Sequence, residues 1–329
     1  MTLGPQVQLT HAGTAEVAKA VEGLSLTRLA LRRLLKDKLT MVSLVVVAVF
    51  LVLAVSAPVL SATGILDPTS IHNDLIDTAT GGLPNEKGGL SWSHPLGVEP
   101  GTGRDVLSRL ILGITYSLTV ALGAALVAVV LGTVLGIISG YLGGRVDMLI
   151  SRMVDLTLSF PQTLMLLALS GVFIDQLISM GIPSGNIANG VYIVLVLGLF
   201  GWPSFARLIR GQVLSQRERE YVEAARSLGA KNGRIYFREL LPNLWAPILV
   251  YFTLTLPQFI SAEAALSFLG VGIKPPTPTL GNILTYSTNY AESDFAFFVF
   301  PALFIATLVV SFNLLGDGLR DALDPKAGR

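Results

Sequence analysis

Long uncharged apolar stretches alternate with short charged ones along this chain. Six stretches are long enough to cross about 30 Å of hydrocarbon, which takes roughly 20 residues at helical rise. They are Leu39 to Leu60, Leu110 to Gly144, Leu156 to Ile174, Gln176 to Ala206, Leu240 to Ala262 and Phe295 to Gly316. Two exceed one crossing, but each includes a Gly-, Ser- or Pro-bearing end, such as Met180-Gly-Ile-Pro-Ser-Gly-Asn, that belongs in a loop. The pattern therefore predicts six spans. Lipid offers no partner to unpaired amides, and the alternation of barrel strands is absent, so the spans must be helical. The expected fold class is an all-α integral membrane protein with six transmembrane helices.

Composition agrees. With 52% hydrophobic residues and a mean hydropathy of +0.65, the chain holds more apolar surface than a soluble domain of this length buries in one core. The first apolar run begins nearly forty residues in, without a small-residue cleavage site behind a short core, and reads as an anchor that is kept. Zero cysteines exclude disulfides, thiolate metal sites and cysteine catalysis. A net charge of +1 speaks against nucleic acid.

Charge then orients the spans. Before the first lie Arg28, Arg32, Arg33, Lys36 and Lys38 against Asp37, which places that end in the cytoplasm by the positive-inside rule. The segment from Ala62 to Arg109 carries Asp67, Asp74, Asp77, Glu86, Glu99 and Asp105 against three basic residues and suits the outer side. The turn from Arg145 to Arg152 is basic and inner, while Asp175 to Asn189 has no Lys or Arg and is outer. Both termini are expected in the cytoplasm.

One inner loop concentrates charge. Ten of the 23 residues from Arg217 to Glu239 are charged, in a chain that is 14% charged overall. Glu218 to Leu228 reads as a helix, with acids early, Ala224 and Ala225 inside, and Gly229 where a helix would stop. Lys231 to Glu239 reads as a second short helical piece ending before Pro242. A short helix broken at Gly and held between two spans presents a small-residue face against which another protein can pack.

The constellation Glu223-Ala224-Ala225, three residues, Gly229, then Leu241-Pro242 resembles the EAA loop of binding-protein-dependent ABC importers. Further segments, in order, resemble the oligopeptide/dipeptide permease family, and specifically the second of its two permease subunits. They are RRLLKDKLTMVSLVVVAVFLVLAVSAPVL, HPLGVEPGTGRDVLSRLILGITYSL, GIISGYLGGRVDMLISRMVDLTLSFPQTLM, LSFLGVGIKPPTPTLGNIL and FNLLGDGLRDALDPK. The resemblance runs from about Leu29 onward. Two departures stand out. Gly97 to Asp105 is one residue longer than the family's usual turn, and Glu239 stands where the EAA pattern expects Ile.

The resemblance implies a type I permease fold, a second homologous permease subunit, two cytoplasmic ATPase subunits and an extracytoplasmic binding protein, in a cytoplasmic (inner) membrane. It implies ATPase-coupling roles for Glu223, Ala224, Ala225 and Gly229. It also implies di- or oligopeptides as cargo, with nickel complexes, glutathione and opines as alternatives among relatives. ATP and Mg would be used by the ATPase subunits, with no cofactor or metal bound by this chain. Consistently, the sequence has no Gly-rich phosphate loop ending in Lys-Ser/Thr and no nucleophile-base pair. The division expected is a polar, mobile tail at 1–27, an anchor at 28–61, an outer loop at 62–109, a five-helix core at 110–316 with the coupling loop at about 207–239, and a tail at 317–329.

Other candidates come from the residues alone. Arg152 and Asp155, three apart at the inner start of span three, suit pairing on one helix face. Glu263 is a lone carboxyl within span five and by default a functional candidate, lining the translocation path or the seam with a partner permease. Pro257, Pro301 and Phe160-Pro161 suit kinks. His72 and His94, near Asp74 and Asp77, match no tight metal cluster and read as solvated loop residues. An ion-driven secondary transporter would want internal repeats and several buried acids; the sequence shows no repeat and one such acid.

Overall fold

The computed structural model describes residues 26–323. The expected tail at 1–27 lies outside the described residues but for its last two, as do 324–329 of the C-terminal tail. A short amphipathic helix, α1 (Leu26–Lys36), ends at Asp37, whose carboxylate accepts the Leu39 amide at 3.1 Å and the Thr40 hydroxyl, starting α2 (Lys38–Ala62). The outer segment follows, with a small antiparallel pair, β1 (Ile76–Asp77) and β2 (Leu83–Pro84), in register Ile76 to Pro84.

The remaining helices are α3 (Val106–Leu142), α4 (Gly144–Ser159), α5 (Gln162–Ser179), α6 (Asn186–Gln216), α7 (Glu220–Ser227), α8 (Leu241–Phe268), α9 (Leu280–Thr288) and α10 (Phe295–Leu323). Among the described residues six helical runs are long and apolar enough to cross a membrane: α2, α3, α5, α6, the run Asn232–Phe268 that contains α8, and α10. The six expected spans are all present, with shifted ends.

Three differences have physical causes. Phe160-Pro161 breaks the chain where a kink was expected: α4 ends at Ser159, Phe160 is extended, and α5 begins at Gln162. The residue before a proline is driven out of helical geometry, so span three starts six residues later than hydropathy alone suggests. Conversely, the helical piece after Gly229 does not stop at Pro242. One turn at Asn232–Arg234 passes through a π-helical stretch, Ile235–Leu240, straight into α8. A proline ring would crowd the carbonyl four residues back in a regular α-helix, and the wider π turn makes room for it. Finally, the last outer loop contains α9, which starts at a reciprocal capping box in which Thr279 Oγ1 accepts the Asn282 amide and Asn282 Oδ1 accepts the Thr279 amide.

α3 and α6 form the central pair. Gly132, Gly136 and Gly140 share one face of α3, and a Cβ on Gly136 would stand 2.8 Å from Ile209 Cβ and 2.9 Å from the Ala206 carbonyl oxygen. Such close approach replaces hydrophobic driving force between helices in lipid with dispersion contact. On the other side α8 packs on α3 and α10, and α2 closes against α3 and α10. α5 is held most loosely, with Leu166 its one fully buried residue.

Candidate functional site

The inner loop between α6 and α8 is built to present a helix. Its helical part is Glu220–Ser227, shorter at both ends than the sequence suggests. Glu220 and Glu223 lie in the first turn and Arg226 in the last, which suits the helix dipole. The end is a Schellman turn: the Ala230 amide donates to Ala225 O and the Gly229 amide to Arg226 O, each at 3.0 Å, with Gly229 at φ +76°. Only a residue that tolerates left-handed geometry sits there without strain.

One side of α7 is anchored. Val222 is fully buried among Phe205, Ile209 and Val213 of α6 and Ile235, Leu240 and Leu244 of the following helix. The Arg226 guanidinium lies 5.5 Å from the Tyr141 ring centre, and Arg217 Nη1 donates to Gly140 O at 3.1 Å. The other side is free: Glu223, Ala224, Leu228 and Gly229 are exposed and Ala225 is half-buried. A Cβ built on Gly229 meets nothing within 4 Å. The four residues singled out in the sequence thus come together on one outward knob.

Glu263 is placed differently from the expectation. It is 0% exposed in the isolated chain, whereas a residue at a path or a subunit seam would be open there. Ser117 Oγ donates to its Oε2 at 2.9 Å and Ser267 Oγ to its Oε1 at 3.0 Å. The Thr279 hydroxyl also bonds it. Ser117 Oγ in turn accepts the Leu280 amide at 3.0 Å. Glu263 therefore ties α8 to α3 and to the start of α9.

The Arg152–Asp155 pair is likewise replaced. Among the described residues the ion-pair partner of Asp155 is Arg207 of α6, with Nη2 2.5 Å from Oδ1. An Arg placed N-terminal to its acid on a helix is the weaker order, and the packing of α4 on α6 brings a better-placed cation. One further pair joins the same two helices: Arg210 Nε and Nη2 each lie 2.6 Å from an oxygen of Asp147. This bidentate contact, with Ser139 as a second donor, holds the Asp147 carboxyl at about 2, below the usual carboxylate range despite partial burial. The signal available in the sequence was a pair of acids eight apart on α4, Asp147 and Asp155, facing a basic helix end.

At the outer face the elongated turn Gly97 to Asp105 wraps a buried ion pair. Arg109 Nε stands 2.5 Å from Glu99 Oε1, and the two side chains are 3% and 2% exposed. Arg109 Nη1 also donates to Pro68 O at 3.3 Å and Pro276 O at 3.1 Å, so one guanidinium ties α3 to the first and last outer loops. His94 is not a solvated loop residue: its Nδ1 lies 2.9 Å from Asp105 Oδ1, and Asp105 Oδ2 caps α3 by accepting the Ser108 amide at 2.7 Å.

Comparison with known proteins agrees with this architecture. Residues 132–329 match the model of the family described as "Binding-protein-dependent transport system inner membrane component". Residues 25–75 match the "N-terminal TM domain of oligopeptide transport permease C". The chain is 36% identical over 299 residues to the dipeptide transport system permease protein DppC of Alkalihalophilus pseudofirmus, covering 91% of this chain and 90% of that one. It is 42% identical over 246 residues to the glutathione transport system permease protein GsiD of Shigella flexneri, covering 74% and 75%. In fold it is similar to a chain of the MetNI methionine ABC transporter in inward-facing conformations, with TM-score 0.52 and 20% identity over 66% of this chain and 97% of that chain. The chain belongs to the binding-protein-dependent transport system inner membrane components, the non-catalytic membrane permease subunits of ABC importers.

Proposed function

We propose that this permease subunit works beside a second, homologous permease to import short peptides or peptide-like solutes, with two ATPase subunits gripping α7 and an extracytoplasmic binding protein delivering cargo. The observation that carries the coupling role is the knob itself, pinned by Val222 and ended by Gly229, with Glu223 and Ala224 outward. The cargo class is supported by similarity to permeases named for dipeptide and for glutathione, both amide-linked solutes with free charged termini. ATP binding would draw the ATPases together, move α7, and bias the spans between inward- and outward-open states.

Gly229 provides the test, because two substitutions there separate strain from bulk. Either Gly229→Ala or Gly229→Trp places a side chain at positive φ, at about 1–2 kcal/mol of local strain. Only Trp projects bulk into the open space where a partner would sit. Gly229→Trp is expected to abolish ATP-driven uptake of dipeptide or glutathione by the reconstituted complex, and to weaken ATPase co-purification, while Gly229→Ala keeps both. Equal, wild-type behaviour of the Trp variant would remove α7 as the grip.

A further inference from the structure

α4 is joined to α3 by a two-residue glycine joint, Gly143 and Gly144, and to α5 by the Phe160-Pro161 break. The glycine joint leaves the direction of α4 open, whereas the Phe160-Pro161 joint ties α5 to α4 within a narrow range. What fixes α4 in place is its contact with α6, where Ile150 and Val154 pack against Trp202 and Ala206. Two ion pairs bracket that contact, Asp147 with Arg210 and Asp155 with Arg207. On α6 the arginines are one turn apart. On α4 the aspartates are eight residues apart, about 12 Å at helical rise. α6 therefore holds α4 near both ends and can turn it as a lever. Packing alone is incomplete here: a cleft of about 310 Å³, lined in part by Ser139, Ser151 and Arg207, remains between these helices.

The two ends of this linkage differ in character. α6 runs directly into the coupling loop, and Val222 of α7 packs on its last turns. α5, beyond the break, is buried at Leu166 alone and meets α6 through the Tyr192 hydroxyl, which donates to Leu166 O. Within this chain, therefore, little besides α4 and Tyr192 fixes where α5 lies.

We propose that Arg207 and Asp155, with Arg210 and Asp147 beside them, are positioning residues that carry movement of the coupling loop through α6 to α4 and so to α5. The proposal rests on the reading of α7 as the ATPase grip. It assigns these four residues a part in transmission, beyond what they contribute to topology and to folding.

The chain has no cysteine, so labels can be placed without background. Spin labels at Phe237, in the π-helical stretch that follows α7, and at Leu164 on α5, each paired with a reference label at Val310 on α10, occupy exposed positions. Distances would be measured in the assembled complex in nanodiscs, with ADP and with ATP plus vanadate. In the otherwise native chain both distances should change between the two nucleotide states. With Arg207→Asp or Asp155→Arg alone, the Phe237 change should persist and the Leu164 change should be lost. The double variant Arg207→Asp/Asp155→Arg rebuilds the pair in reverse and should restore it.

Should a single variant fail to assemble, Arg207→Gln, which removes charge while keeping length, is read in the same way. A Leu164 change that survives the single substitutions, or is absent from the native chain while Phe237 moves, overturns the transmission role alone. Singles that lose the change without recovery in the double variant also overturn it. A Phe237 distance that never responds to nucleotide overturns the coupling reading, and this proposal with it.

Discussion

A single carboxyl in a span carries a large desolvation cost unless something relieves it, and Glu263 shows what relieves it here. Among the described residues its partners are hydroxyls, from Ser117, Ser267 and Thr279, and no cation pairs with it. Each hydroxyl belongs to a different part of the fold: α3, α8 itself and the cap of α9. Removing the acceptor therefore leaves several buried donors without partners, each worth about 1–3 kcal/mol. Glu263→Leu should lower the melting temperature of the detergent-purified subunit and reduce recovery of the complex, while transport per recovered complex stays at the native level. Glu263→Gln, which can still accept from one hydroxyl and donate to another, should behave close to native in both assays. A normally folded Glu263→Gln complex that transports poorly would return this residue to the pathway.

Among the helices, α4 is where electrostatics has a definite pH signature. The Asp147 carboxyl is held at about 2 against an ordinary value of 3.8, chiefly by Arg210. A lowered value means that the ionised group stabilises the folded chain fully above the ordinary value, and that this contribution fades as pH falls toward 2. The melting temperature of the native chain should thus exceed that of Asp147→Asn by a constant margin down to about pH 4 and by a shrinking margin below it. A margin that is flat from pH 6 to pH 2.5 would mean that the pair contributes nothing measurable. α4 also shows why part of this protein was legible and part was not. Hydropathy located six spans because the bilayer imposes a length on each, and the Gly229 stop was readable because few residues accept left-handed geometry. Local spacing suggested Arg152 for Asp155, but the partner is decided by how α4 crosses α6, a tertiary fact that no spacing along one helix contains. The hydroxyl partners of Glu263 were hidden for the same reason: depth along a span can be counted, but the face buried by its neighbours cannot. The start of α9 carried a usable signal, a Thr-x-x-Asn cap ahead of Leu280 and Ile283, hidden in a segment rich in Pro and Gly.

Taken as one body, the chain separates its chemistry by side. At one end lie Arg207, Arg210 and the α7 knob, and Arg217 there reaches the Gly140 carbonyl at the end of α3. The beginning of α2 and the end of α10 meet, for a Cβ on Gly318 would fall on the Thr40 hydroxyl, which brings the ends of the described chain to one side. At the opposite end Arg109 bonds loops on either side of the core, at Pro68 and Pro276. The basic residues near the first end outnumber those of the other, so the positive-inside rule assigns it to the cytoplasm. That orientation decides everything proposed for α7, since an ATPase can reach it only from within. Cysteines replacing Trp92, which is fully exposed in the outer loop, and Asn232, exposed just after Gly229, turn it into a measurement. An impermeant maleimide added to intact cells should label Trp92→Cys and spare Asn232→Cys, and after permeabilisation it should label both. Labelling of Asn232→Cys alone in intact cells would invert the molecule, placing the knob and its arginine-lined lever on the side where no nucleotide-driven partner could engage them.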